Sequence, residues 1–262
     1  MIRFFTNPAN IYGKRIMLSE DDRKHIRALR IKPSEEFIVC DGEGTDYVCK
    51  LCIGVGESVA EILGKEETRG EPTIDCTMYI AYQKGDRLDY ATQKAVELGA
   101  KSVVLFRSNR CIAMPDNVSK RLTRLQKIAY EAAKQCGRGI IPAVKDCGEY
   151  EAALDIAAKE SKLPLLLYED EDTRHLKEVL EQHFAKAEIS NKQTVSIITG
   201  PEGGFEASET NAAKERKIQT VSIGPRILRS ETAPIVALSA LMYHTNNLQR
   251  HGQLNEDSTS SR

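Results

Sequence analysis

The sequence predicts an α/β protein whose larger part holds a mostly parallel sheet, preceded by a small β-rich domain. From about residue 74, apolar segments of strand length alternate with helical segments, an order typical of parallel sheets. Before that point the chain holds short alternating runs and turn residues. With 262 residues, 41% of them hydrophobic and 29% charged, the chain is long enough for two domains that each bury a core.

The β-rich domain is expected over residues 1–72. Alternating runs at 36–40 and 47–53 flank an Asp-Gly-Glu-Gly turn at 41–44. The larger domain is expected over residues 73–248. The polar, serine-rich tail over residues 249–262 is expected to be disordered.

Five strands and three helices are expected in the larger domain. The strands are bounded by Gly, Pro or charged residues and cover 76–81, 102–106, 163–168, 194–199 and 220–223. A helix over 87–98 should end at Gly99, and a basic helix over 118–136 should dock on the sheet. The helix over 232–247 is apolar nearly all round, which predicts packing into the core and a subunit interface, with Ser230 or Thr232 as its N-cap.

Composition narrows the class of protein. No apolar run approaches the roughly 18 residues typical of a membrane span, and the first residues lack the pattern of a secretory signal. Seven cysteines without framework spacing indicate reduced thiols and a cytoplasmic protein. Cys49 and Cys52 form a C-x-x-C motif, but positions three apart on a strand face opposite sides, so no metal site is expected.

Charge is segregated along the chain. Residues 1–32 carry eight Lys or Arg against three Asp or Glu, and residues 101–145 carry ten against two. Residues 33–75 reverse this balance, with three basic against eleven acidic residues. The basic regions would suit phosphate contacts with a nucleic acid, although solvated helix faces carry similar charge.

Two glycine-rich turns follow predicted strands. Gly-Pro-Glu-Gly-Gly-Phe occupies 200–205, and a second turn begins with Gly-Pro-Arg at 224 and continues to Pro234. Ligands bind at the carboxyl ends of strands in open α/β sheets, and glycine lets backbone atoms approach a ligand closely. Neither turn fits a phosphate loop or a dinucleotide fingerprint. A single turn of this kind would indicate only a tight connection.

Residues 200–205 and 223–233 resemble the paired motifs of the ribosomal RNA uridine-N3 methyltransferases of the SPOUT superfamily. Residues 93–100 and 131–138 are similar to the helix motifs of the same family, in the same order. The resemblance spans essentially residues 1–245, because the β-rich start resembles that family's PUA-like RNA-binding β-barrel domain.

The resemblance implies a deep trefoil knot in the C-terminal domain, S-adenosyl-L-methionine as the cofactor, and a homodimer. It also implies that the substrate is ribosomal RNA within the assembled small subunit, where N3 of a uridine is methylated. Two alternatives stay open: another acceptor such as a ribose 2′-hydroxyl, and a non-catalytic RNA-binding assembly factor.

The turns and the resemblance together give three sets of candidate residues. Donor binding is expected at the first set: Leu167, Tyr168, Glu169, Thr199, Gly200, Pro201, Glu202, Gly203, Gly204, Ile223, Gly224, Ile227, Leu228, Ser230, Thr232 and Ala233. Three arginines are expected to bind phosphate or the negative charge on the uracil oxygens: Arg138, Arg226 and Arg229. Glu231 is the nearest expected proton acceptor. RNA contacts are expected at the third set: Arg3, Arg23, Lys24, His25, Arg27, Arg30, Arg110, Arg121 and Arg124.

Some of these residues have simpler interpretations. Salt bridges that brace the chain would explain Arg226 and Arg229 equally well. Glu202 is better explained as a carboxylate that braces its loop. His25 and its basic neighbours would look the same on any surface helix.

Overall fold

The computed structural model describes residues 1–52, 59–112, 114–186 and 192–249. Apart from Gln249, the predicted disordered tail lies outside the described residues, as does Ile53, the last residue of a predicted strand. The chain divides into two compact units. Met1–Glu71 and Ala133–Ile141 form the first, and Pro72–Ala132 with the chain from Pro142 onward forms the second. Ala133–Ile141 therefore belongs to the first unit, whereas the sequence predicts it within the larger domain.

The first unit is a six-stranded sheet with α-helix α1, a short 3-10 helix at Pro8–Asn10 and the last turn of a helix from the second unit. Its order is β1-β4-β5-β6-β3-β2, in which β1 and β4 are parallel and all other neighbours antiparallel. Alternating apolar residues build its core, where Phe4, Ile26 and Phe37 are buried. No pairing among the described strands joins β1 to β2. The elements are β1 Arg3–Phe5, β2 Ile11–Tyr12, β3 Arg15–Met17, α1 Glu20–Leu29, β4 Phe37–Cys40, β5 Thr45–Leu51 and β6 Val59–Glu67.

Two glycines let the segment Ala133–Ile141 pack tightly within the first unit. A Cβ added to Gly139 would lie 2.4 Å from Oγ1 of Thr68, and one added to Gly70 would lie 2.6 Å from the Gly137 carbonyl oxygen. The Gly139 carbonyl also accepts a hydrogen bond from the Cys40 thiol at 3.2 Å. A side chain at Gly70 would push against the Gly137 backbone, and one at Gly139 would push against the Thr68 side chain.

The second unit holds six strands, all parallel, in the order β12-β10-β11-β7-β8-β9. This confirms the predicted α/β fold. The strands are β7 Asp75–Ala81, β8 Ser102–Arg107, β9 Ala143–Glu149, β10 Leu163–Leu167, β11 Thr194–Thr199 and β12 Gln219–Val221. The helices are α2 Arg87–Glu97, α3 Val118–Cys136, α4 Tyr150–Glu160, α5 Leu176–Phe184, α6 Ala207–Glu215 and α7 Thr232–His244.

All five strands predicted for this unit are present, but β9 was missed. β9 forms the sheet edge, and its sequence Ala-Val-Lys-Asp-Cys-Gly-Glu has few apolar residues, so hydrophobicity gives no strand signal. The predicted end of α2 is confirmed, since Gly99 follows it with φ +94°.

The predicted N-cap of α7 is wrong. Glu231 occupies the cap position, and neither Ser230 nor Thr232 makes a capping hydrogen bond. The reason is local, because the backbone N–H groups of Thr232 and Ala233 both donate to the Arg229 carbonyl. These amides are therefore satisfied by the preceding turn and are not free for a ligand.

Helix α7 packs on the core through one side and leaves apolar residues on another. Leu238 and Leu241 are fully buried, and the helix contacts β7, β11, α2 and α5. Val236 and Tyr243 stay exposed, and they are seven residues apart, so they share a face. Among the described residues, no helix combines the length and the apolar character needed to cross a membrane.

Candidate functional site

A cavity of about 790 Å³ lies at one edge of the parallel sheet in the second unit. Strands β12, β10 and β11 are neighbours and run the same way, so the three segments that follow them meet there. Its lining comes from those segments and from the start of α2: Arg87, Leu167, Tyr168, Glu169, Glu171, Asp172, His175, Thr199, Gly200, Pro201, Glu202, Gly204, Val221, Ser222, Ile223, Gly224, Pro225, Arg226, Ile227, Leu228, Arg229, Ser230, Glu231 and Ala233.

The first glycine-rich turn is anchored in the core. The Phe205 ring is buried and packs 5.4 Å from the Tyr150 ring, centroid to centroid. A Cβ at Gly200 would lie 3.1 Å from the Phe205 ring, which is tighter than ordinary contact. Gly204 adopts φ +66°, and its N–H donates to the Pro201 carbonyl at 3.0 Å. The turn is therefore fixed in shape, and its conformation favours glycine at position 204 because of the positive φ there.

The second turn leaves β12 and presents exposed side chains. Gly224 adopts φ +128°, and the Gly224 backbone N–H donates to the Ser222 hydroxyl at 3.3 Å. Farther along, the Gln83 side chain donates to the Ser230 carbonyl at 3.1 Å. Between these fixed points Arg226 and Arg229 are exposed, and Ile227 is 87% exposed. The turn is held at both ends and offers two guanidinium groups and one apolar side chain.

The segment after β10 forms the third wall. The Glu171 carboxylate accepts hydrogen bonds from the Thr173 hydroxyl at 2.6 Å and the Thr220 hydroxyl at 2.5 Å. Burial acts to raise the pKa of Glu171, but these bonds outweigh burial and lower the pKa to about 2. A Cβ at Gly204 would lie 1.9 Å from Oε1 of Glu169, so this carboxylate rests directly against the first turn.

Carboxylates outnumber guanidinium groups in the cavity lining. Five acidic residues line it, against three arginines. At neutral pH the excess of negative charge favours a ligand that carries positive charge. The acidic residues are Glu169, Glu171, Asp172, Glu202 and Glu231, and the arginines are Arg87, Arg226 and Arg229.

Arg87 was missed by the sequence analysis. Its guanidinium donates to the Glu202 carboxylate at 2.7 Å and lies 3.7 Å from the Glu231 carboxylate. Glu202 also accepts the backbone N–H of Lys84 at 2.9 Å. Burial acts to raise the pKa of Glu202, but these donors outweigh it and lower the pKa. The position of Arg87 in the sequence could have indicated it as a site residue, because Arg87 follows β7, whose carboxyl end lies at the same sheet edge as the turns.

Most of the predicted donor-binding residues line the cavity, but Gly203 and Thr232 do not. Gly203 faces Arg110, because a Cβ added to Gly203 would lie 3.1 Å from Cβ of Arg110. The Arg110 guanidinium in turn donates to the Gly203 carbonyl at 3.0 Å. Several further lining residues were not predicted, and their only signal in the sequence was their position at the end of β12 or in the segments after β10 and β12: Glu171, Asp172, His175, Val221 and Ser222.

Of the predicted catalytic residues, Arg226, Arg229 and Glu231 line the cavity, and Arg138 belongs to the first unit. The Arg138 side chain is only 4% exposed, and it pairs with the Glu71 carboxylate at 2.7 Å. A guanidinium that is buried and paired in this way braces the fold. The predicted catalytic role of Arg138 stays a prediction, and within one chain its guanidinium is held by Glu71.

Three predicted RNA-binding arginines are held by carboxylates. Arg3 is 12% exposed and donates through both terminal nitrogens to Asp46 at 2.6 Å, which leaves little of its guanidinium on the surface for the predicted RNA contact. Arg121 and Arg124, on α3, both pair with Asp89 on α2, at 3.0 and 2.5 Å. Arg121 is largely covered, whereas the Arg124 side chain is 59% exposed and keeps an outward surface.

Arg110 follows β8 and lies 3.7 Å from the Glu206 carboxylate. The other predicted RNA-binding residues lie on or just after α1. Lys24, Arg27 and Arg30 are exposed, while Arg23 and His25 are partly buried. Lys24 pairs with Glu20 at 3.2 Å, and His25 Nδ1 lies 2.9 Å from the Lys134 ammonium. The helix thus presents some basic side chains to solvent and holds others in place.

Two family models match the chain. Residues 70–242 match an RNA methyltransferase domain. Residues 18–51 match an RNA methyltransferase PUA domain. The first match covers most of the second unit, and the second match falls within the β-rich start.

Several similar proteins share one name. The chain is 31% identical to the ribosomal RNA small subunit methyltransferase E of Bacillus subtilis, over 86% of this chain and 88% of that protein. It is 32% identical to the enzyme of the same name from Mesomycoplasma hyopneumoniae, over 91% and 98%. A crystal structure of the Neisseria gonorrhoeae enzyme of this name, bound to S-adenosyl methionine, matches with a TM-score of 0.78 and 31% identity, covering 93% of this chain and 97% of that one. The resemblance found in the sequence is confirmed, and the chain belongs to the ribosomal RNA small subunit methyltransferase E family of RNA methyltransferases.

Proposed function

We propose that this protein transfers a methyl group from S-adenosyl-L-methionine to N3 of a uridine in small-subunit ribosomal RNA, with the assembled subunit as substrate. Membership of the family supports methylation of ribosomal RNA. One observation carries the site assignment. Both glycine-rich turns and the segment after β10 converge on one cavity of about 790 Å³.

The cavity fits the proposed methyl donor in size, shape and charge. Its volume lies in the range of small-molecule sites. Gly200 and Gly204 bring backbone atoms of the first turn to the cavity wall, and the lining has more carboxylates than guanidinium groups. Such a lining suits a ligand that carries a sulfonium and an ammonium group. A related crystal structure bound to S-adenosyl methionine has the same fold at a TM-score of 0.78.

When bound, S-adenosyl-L-methionine supplies a methyl group that is already activated by the sulfonium charge. The residues of this chain then have three tasks. Backbone atoms of the two turns orient the donor, and Ile227 and Leu228 provide apolar contact. Arg226 and Arg229 are exposed at the cavity and free of side-chain partners among the described residues, so they can bind phosphate or the negative charge that develops on uracil oxygens.

The uridine N3–H must lose its proton before N3 can act as a nucleophile. Glu231 lines the cavity between Arg229 and α7, and its carboxylate is the acceptor that we assign to this proton. The proposal places the uracil ring between Glu231 and the two exposed arginines. Electrostatic stabilisation by the arginines and proton acceptance by Glu231 would act on the same ring.

The proposal includes a trefoil knot and a homodimer in the cytoplasm. Strand β12 lies at the sheet edge beyond β10, yet α7 returns to pack on β11 and β7, a path that a knotted chain would follow. Val236 and Tyr243 give α7 an exposed apolar face, which a second copy of the chain would cover. RNA contacts by the first unit would use the exposed residues Lys24, Arg27 and Arg30.

Two measurements test the proposal. Calorimetry with S-adenosyl-L-methionine should give saturable binding of one donor per chain. Labelled donor incubated with undermodified small subunits should then yield N3-methyluridine on nucleoside mass spectrometry. A 2′-O-methylated nucleoside would reassign the acceptor, and the absence of donor binding would leave an assembly factor without catalytic activity.

A further inference from the structure

One short segment contacts both glycine-rich turns. It comprises residues 83–87, between β7 and α2. Gln83 donates to the Ser230 carbonyl of the second turn at 3.1 Å. The Lys84 backbone N–H donates to Glu202 of the first turn at 2.9 Å. Arg87 reaches the carboxylates of both turns, Glu202 at 2.7 Å and Glu231 at 3.7 Å.

The charge on Arg87 matters because of where the two carboxylates lie. Glu202 belongs to the first turn and Glu231 to the end of the second, and both are mostly covered, at 22% and 17% exposure. Two carboxylates this close to one guanidinium would repel each other without it, and partial burial weakens solvent screening. A repulsion between them would act directly to separate the two turns.

We propose that Arg87 is a positioning residue, which ties the two turns together through Glu202 and Glu231 and so holds the methyl-donor site in its binding shape. The inference rests on the proposed function. Arg87 acts through the two carboxylates, and its task is to set their separation. The backbone contacts of Gln83 and Lys84 align the same segment with the turns.

A simpler electrostatic effect predicts the opposite result. The cavity lining is already net negative, so removing one positive charge would strengthen the binding of a cationic donor if only charge mattered. S-adenosylhomocysteine, the demethylated product, lacks the sulfonium charge. Its affinity therefore reports mainly the shape of the site, and the two ligands together separate shape from charge.

The test measures the affinity of both ligands by calorimetry for four variants. Arg87→Gln should weaken the binding of both ligands by about tenfold, the size of coupling expected between partners in contact. Arg87→Lys keeps the charge and should recover part of this loss. The double variant Arg87→Gln/Glu202→Gln removes the repulsion together with the cation, so its affinities should return to within about threefold of wild type.

Lys127→Gln is the matched control. Lys127 is exposed on α3 and does not line the cavity, so losing its charge should leave both affinities unchanged. Thermal unfolding of each variant shows whether it is folded before its affinity is compared.

Three results would overturn the inference. Unchanged affinity in Arg87→Gln would show that the link does not position the site, and tighter binding of S-adenosylmethionine alone would show that Arg87 acts only by its charge. Loss without rescue by Glu202→Gln would mean that Arg87 contacts the ligand directly. If the wild-type protein binds neither ligand, the proposed function fails first.

Discussion

The arginines of the first unit and those of the cavity differ in how deeply they are buried and in which groups they contact. Arg3 and Arg138 are 12% and 4% exposed and pair with Asp46 and Glu71. Arg226 and Arg229 are exposed on a glycine-rich turn and have no side-chain partner among the described residues. From the sequence, all four are predicted to bind RNA or to act in catalysis.

The difference lies in what each guanidinium already contacts. A buried arginine that pairs with a carboxylate is shielded from a ligand, and losing it would strand a buried charge. An exposed arginine on a fixed turn costs the fold little when it is removed. Stability measurements and activity measurements should therefore separate the two groups.

The largest expected effect is on stability, at Arg138. Arg138→Met leaves the Glu71 carboxylate without its cation, and we expect the free energy of unfolding to fall by about 3 kcal/mol. Denaturation in urea measures this. Lys24→Met is the matched control, because Lys24 is exposed and its ion pairs lie on the surface, so it should change stability by less than about 0.5 kcal/mol. Equal effects from both variants would contradict the comparison.

The next effect is on activity, at the cavity arginines. Arg226→Ala and Arg229→Ala should each lower the rate of methyl transfer by about 100-fold, the usual loss when one group that stabilises developing charge is removed. Unfolding free energies should stay within about 0.5 kcal/mol of wild type. Single-turnover assays on small subunits give the rate. A stability loss as large as that of Arg138→Met would place these arginines with the structural group.

Gly200 in the first turn and Gly64 on β6 differ in how much space surrounds an added Cβ. Gly200→Ala would place a Cβ 3.1 Å from the Phe205 ring, which must shift and disturb the first turn. We expect donor affinity to fall by about tenfold in calorimetry, a cost typical of a tight packing conflict. Gly64→Ala, on β6, has no atom within 4 Å of the new Cβ and should leave affinity unchanged. Normal affinity in Gly200→Ala would show that the turn adapts without loss.

The smallest expected effect depends on pH. The pKa of Glu171 is lowered to about 2 in the folded protein, from an ordinary value of 4.5. Its hydrogen bonds therefore contribute full stability above about pH 4.5 and lose it as the pH falls toward 2. Glu171→Gln should remove this part of the acid dependence, seen as a shallower slope of unfolding free energy below pH 4.5. An unchanged slope would show that Glu171 titrates normally.

Local patterns predicted much of the fold and of the candidate site. The five apolar strands of the second unit and most of the cavity lining follow from hydrophobic runs and from glycine-rich turns after strands. Residues whose contacts come from distant parts of the chain were not predicted. Asp46 and Glu71, which occupy Arg3 and Arg138, lie 43 and 67 residues away from them. Arg87 was missed for the same reason, since Glu202 is 115 residues away.

The first unit is discontinuous in sequence, which limits how it can be used as a module. Its Glu71 carboxylate accepts backbone N–H groups from Gly139 and Ile140, and its Cys40 thiol donates to Gly139. A fragment that stops at residue 72 would expose these groups and the surface around Gly70 and Thr68 on which residues 133–141 pack. Grafting this unit onto another enzyme would therefore require a circularly permuted version, in which residues 133–141 are covalently joined to the β-rich start.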